Sequence, residues 1–211
     1  MAGAFRIFAK LRFADGASGR ISLRDPVNPN YFWINPYAKH FACITVSDLI
    51  LVNHEGTPLT ATENKVNTAA FIIHSSIYQA HPDLNAVCHM HSPYGRAWST
   101  FGKGIEMLNQ VIFSVTTDLT SWFQTRIGRL ITAGSTVGEA AAFFIALERA
   151  CQTQMLVEHA LTHTPGLQKK YVGDEEAAYT KKASGSPAVM YMQFVPEYEL
   201  ICKGTEGDFT K

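Results

Sequence analysis

Residues 69–100 read AAFIIHSSIYQAHPDLNAVCHMHSPYGRAWST. Three local signals divide this stretch. Residues 67–80 (NTAAFIIHSSIYQA) carry one wide apolar face at helical spacing. The turn His81-Pro82-Asp83 stops that helix, because the residue before a proline resists helical dihedrals. Residues 86–91 (AVCHMH) then read as a short strand. Successive strand side chains alternate faces, so His89 and His91 project to one side. Two imidazoles about 6–7 Å apart along a strand can both reach one divalent ion at about 2.0–2.1 Å. Imidazole suits zinc, and also manganese, iron, cobalt or nickel. The loop-like Ser92-Pro93-Tyr94-Gly95 follows, which puts the pair at a strand end, where sites concentrate.

Outward from this block, residues 2–13 fit an amphipathic helix and 15–19 a glycine turn. Residues 20–24 (RISLR), 31–35 (YFWIN) and 49–53 (LILVN) read as strands, the first two paired as a hairpin. Residues 129–133 (RLITA) predict another strand and 135–158 a long helix. Ser135 or Thr136 can cap that helix, with Glu139 placed as in a capping box. Residues 189–194 (VMYMQF) alternate like a late strand. Mixed strands and helices with a hairpin at the front predict an α/β domain. Its central sheet is mainly antiparallel and flanked by helices.

The 211 residues suit one domain, 1–211. With 46% hydrophobic and 17% charged residues, disorder is excluded as the default. Eighteen basic residues balance eighteen acidic ones, so no global field favours nucleic acid or an anionic membrane as partner. No apolar run is long enough to span a bilayer. The N-terminus lacks the order of a signal peptide. Cys43, Cys88, Cys151 and Cys202 lie far apart with no CxxC pair, which predicts reduced thiols and a cytoplasmic location.

The helix carrying His74 and Tyr78, the Pro-Asp turn and the V-x-H-x-H strand together resemble the class II aldolase/adducin family. Residues 4–26 (AFRIFAKLRFADGASGRISLRDP) resemble its opening helix, glycine loop and first strand. Residues 132–154 resemble the helix after its last metal ligand, and the segment around 191–198 fits the adducin-like branch. The resemblance implies a single layered domain and a homo-oligomer, a tetramer in many members. It also implies a divalent ion, zinc first, held by three histidines. That ion polarises a carbonyl and stabilises an enediolate while a glutamate handles the proton. His89 and His91 match two of the ligands.

This chain departs from the family pattern at several positions. The third ligand position falls on Gly128 and the glutamate position on Ala70. His159, His163 or Glu139 are the candidate replacement ligands, and Glu63 the candidate replacement acid. The chain is expected to be shortened at its N-terminus and around residues 111–127. The family's first phosphate loop aligns with Gly19 and Arg20, candidates for anion binding. The second aligns near Lys39 and His40, where the small hydroxyl-glycine pattern is lost. His74 is expected to buttress the core or support the metal from behind, Tyr94 and Trp98 to pack the sheet edge, and His54 and His81 to sit in turns.

The expected function is zinc-type lyase chemistry: aldol cleavage, epimerisation or decarboxylation of a small oxygenated substrate through a metal-stabilised enolate. The alternative is a non-catalytic adducin-like module that binds protein partners of the actin cytoskeleton, or a degenerate pseudo-enzyme.

Overall fold

The computed structural model describes residues 1–108 and 130–211. Helix α1 (Ala2–Lys10) buries Phe5, Ile7 and Phe8. It stops three residues short of the expected end, where Arg12 turns to a positive φ of 63°. Strands β1 (Arg20–Arg24), β2 (Phe32–Ile34) and β3 (Ile50–Val52) follow, with two short 3-10 turns before β3. Helix α2 (Thr68–Ala80) starts at Asn67, whose side-chain oxygen accepts from Ala70 N at 3.1 Å. His81 closes it ahead of Pro82. Strand β4 (Ala86–Met90) leads directly into α3 (Pro93–Ser99). The segment expected as a loop is thus a helix start: Ser92 stands at its N-cap and Pro93 in its first turn, where a missing N–H costs nothing.

Strand β5 (Leu130–Gly134) precedes the 27-residue helix α4 (Val137–His163). Thr136 Oγ1 accepts from Glu139 N at 3.1 Å, while the Glu139 carboxylate reaches back to Ser135 N and Oγ, both at 2.7 Å. Helix α5 (Asp174–Ser184), absent from the sequence reading, has three acids in its first turn and two lysines in its last, matching the helix dipole.

Residues 189–194 are not a strand but part of α6 (Pro187–Thr205). Ser186 caps it, Pro187 opens it, and Met190, Phe194 and Ile201 are its buried residues. Six alternating residues do not separate strand from helix. The Ser186-Pro187 start outside that window decides.

The strand order is β3-β2-β1-β4-β5, every neighbouring pair antiparallel. One face of the sheet (Ile21, Ala86, Cys88, Met90, Leu130) packs against α1, α4 and α6. The other (Phe32, Ile34, Val52, Val87, Ala133) packs against α2 through Phe71, Ile77 and Tyr78. Helices α1 and α6 approach closely, since a Cβ on Gly3 would fall 2.5 Å from the Tyr198 ring. No described helix is long and apolar enough to cross a membrane.

Candidate metal and substrate site

The site lies at the end of β4, on the face covered by α2. The alternation that sends Cys88 and Met90 into the larger core sends Val87 and His89 to the opposite side. His91 follows just past the strand. The rings of His89 and His91 lie 5.4 Å apart at 62°. His89 is buried and His91 partly exposed, so the pair grades from the sheet toward solvent.

A third imidazole stands behind them. His74 of α2 is fully buried, its ring centroid 6.1 Å from that of His89. Its Nδ1 lies 2.6 Å from Ser22 Oγ, and Ser22 Oγ lies 2.8 Å from the Tyr78 hydroxyl. Its Nε2 is buried with no hydrogen-bond partner. Burial pulls the His74 pKa well below the ordinary imidazole value, and the neighbouring His89 and Arg20 reinforce this. Burial likewise pushes up the Tyr78 phenol and the Cys88 thiol. These groups are neutral at pH 7.

Arg20 opens β1 and is paired in register with His89. Directly opposed residues of an antiparallel pair project to the same side. Arg20 is 3% exposed, and its Nε has no hydrogen-bond partner. Burial lowers its pKa to about 10, so the guanidinium keeps its charge. Gly19 before it has φ +99°, and a Cβ there would lie 2.9 Å from the Phe41 ring. Lys39, the other cationic candidate, forms an ion pair with Asp48. His40 Nδ1 accepts from Ala42 N at 3.1 Å.

The remaining candidates are dispersed. Ala70 sits in the first turn of α2, one turn before His74, and Glu63 is exposed ahead of that helix. Glu139 is committed to Ser135. The rings of His159 and His163 lie 4.2 Å apart, tilted at 41°, near the end of α4, and His159 lines a cavity of about 540 Å³ with Trp98, Phe101 and Met155. Trp98 is buried in the larger core, whereas Tyr94 on α3 is exposed. His54 lies in a turn with its ring 4.8 Å from Phe32, and His81 caps α2. Gly128 and the expected shortening at 111–127 fall within 109–129, outside the described residues.

The sequence reading missed Glu148. This buried carboxylate of α4 accepts from Ser92 Oγ at 2.5 Å, Tyr94 N at 2.8 Å and Gly95 N at 2.7 Å. It thereby fixes the turn after His91. Its signal was an acid on an apolar stripe, one turn after Phe144 and one before Cys151.

The donor set is chemically suited to a divalent ion: two adjacent imidazoles with a neutral third behind. Among the described residues no cluster of three His, Cys, Asp or Glu forms a metal cage. The pair could supply two ligands to such an ion.

Antiparallel sheet, covering helices and a His-x-His strand end define a class II aldolase-type domain, and the chain belongs to that family. Residues 1–126 match the family model described as Class II Aldolase and Adducin N-terminal domain. The chain is 32% identical to the meiotically up-regulated gene 14 protein of Schizosaccharomyces pombe, over 98% of this chain and 90% of that one. It is 32% identical to the decarboxylase NovR of Streptomyces niveus, over 93% and 80%. Among solved structures it superimposes on an L-fuculose 1-phosphate aldolase from Glaciozyma antarctica PI12. The TM-score is 0.88 at 34% identity, covering 100% of this chain and 90% of the other.

Proposed function

We propose that this chain is a divalent-metal lyase, zinc first, acting on a small oxygenated substrate through an enolate. The proposal rests on one observation: the imidazoles of His89 and His91, 5.4 Å apart at the open end of β4. A divalent ion held there would supply Lewis-acid polarisation of a carbonyl oxygen. Aldol cleavage and decarboxylation both break a bond next to a carbonyl and leave enolate charge behind. That shared demand makes the likeness to both an aldolase and a decarboxylase coherent.

The chain's own residues divide the remaining work. His74 backs His89 from α2, with its ring set by Ser22 and Tyr78. Glu148 holds Ser92 and the start of α3, and so fixes where His91 leaves the strand. Arg20 brings positive charge to the same face. Assembly with further copies of the chain, as in relatives, belongs to this reading, and native mass measures it.

Elemental analysis of the purified chain tests the proposal. About one ion per chain is expected, and none in the His89→Ala/His91→Ala double variant. A folded double variant that keeps its ion overturns the assignment. A second reading, a protein-binding module of the adducin type, draws support from Ala70 at the position where the family carries its acid. A folded wild type without metal favours it.

A further inference from the structure

We infer that Arg20 anchors a carboxylate, and hence that the substrate is a small oxo or hydroxy acid rather than a sugar phosphate. The inference rests on the reading that His89 and His91 form the reacting centre. A guanidinium is costly to bury unpaired. Arg20 is 3% exposed, its Nε has no partner, and its side chain makes no hydrogen bond or ion pair with a described residue. It stands opposite His89 in the β1–β4 register, and its charge is felt at His74. The strand end thus gathers one permanent cation and three imidazoles.

Among the described residues no carboxylate forms an ion pair with Arg20. The buried carboxylates Glu139 and Glu148 are turned to Ser135 and to the start of α3. A ligand can bring the negative charge. A planar carboxylate matches the guanidinium fork through two parallel hydrogen bonds. A phosphate dianion calls for further donors, and two described candidates are already engaged. Lys39 is taken up by Asp48, and the Asn35 amide nitrogen donates to the Pro36 carbonyl at 3.2 Å. The Asn35 side-chain oxygen, buried without a partner, is an acceptor and adds nothing for an anion. With its carboxylate on Arg20, such a substrate presents the neighbouring carbonyl to the histidine pair.

Calorimetric titration with pyruvate, oxaloacetate and inorganic phosphate tests this on the wild type, Arg20→Gln and Arg20→Lys, with metal content measured on each. The oxo acids are expected to bind wild type more tightly than phosphate. Arg20→Gln should lose at least tenfold in that affinity with metal content unchanged, and Arg20→Lys should recover only part, because the fork is lost. In ligand-free protein Arg20→Gln should melt no lower than wild type, and the thermal shift given by oxaloacetate should vanish. Unchanged oxo-acid binding in Arg20→Gln, tighter binding of phosphate, or a lower ligand-free melting temperature overturns the inference. Loss of metal from the wild type sinks the metal reading instead, since carboxylate binding at Arg20 is still scored on that sample.

Discussion

Glu148, in the middle of α4, accepts from Gly95 N at 2.7 Å, so the longest helix of the molecule caps the short helix that follows the histidine pair. A Cβ on Gly95 would lie 3.0 Å from the same carboxylate, which shows how close the two helices run. Glu148→Ala would leave Ser92 Oγ, Tyr94 N and Gly95 N without their acceptor. Loss of about 3 kcal/mol of unfolding free energy is expected, read by urea denaturation. Glu148→Gln should cost less, and a loss under about 1 kcal/mol in the alanine variant would show that the cap is dispensable.

Gly19→Ala places a methyl 2.9 Å from Phe41 and 3.3 Å from Met90 at a φ of +99°. Strain and overpacking together predict a destabilisation of about 2–3 kcal/mol. The same denaturation series checks it. Because Gly19 sets the start of β1, oxo-acid binding at Arg20 should weaken in parallel.

His74 gives a pH dependence. Its pKa in the folded chain is well below the ordinary value near 6.5, from burial first and then from His89 and Arg20. Below about pH 6.5 the unfolded chain therefore takes up a proton that the folded chain refuses. Stability from this group is complete above that pH and falls on acidification by up to about 1.4 kcal/mol per unit. Denaturation midpoints of metal-free protein at pH 7.5 and 5.5 should differ more for wild type than for His74→Leu. Equal differences would remove His74 as the source.

Metal should act on stability as well as on chemistry. Zinc at a hundredfold excess over its Kd is expected to add about 2.7 kcal/mol to unfolding. In differential scanning calorimetry the melting temperature should rise with added zinc and return with chelator. His91→Ala should abolish the response, and a response unchanged in that variant would place the ion elsewhere.

What could be read from residues alone follows from how local each determinant is. Helix α2 and strand β4 were legible because Asn67, Pro82 and the V-x-H-x-H alternation act within a few residues of themselves. The β1–β2 hairpin was legible for the same reason, through the turn at 25–30. Residues 189–194 misled because alternation over six positions ignores the cap at Ser186. Arg20 could be named as a cation from its loop position, but its burial opposite His89 depends on pairing between strands more than sixty residues apart. Glu148 was invisible for a similar reason, since its partners at 92–95 lie on another helix.

The contact of Gly3 with Tyr198 bears on the order in which the chain can mature. During synthesis β1, β2 and β3 can pair early, since they are neighbours in both sequence and sheet. The apolar face of α1 cannot be fully covered then: Phe8 meets Phe144 of α4, and Gly3 meets α6. Residues of α1 thus wait for the much later α4 and α6 before they are fully shielded from water. In that interval Phe8 lacks Phe144 and is available to chaperones or to other nascent chains. A chain that ended before α6 would remain in that unshielded condition.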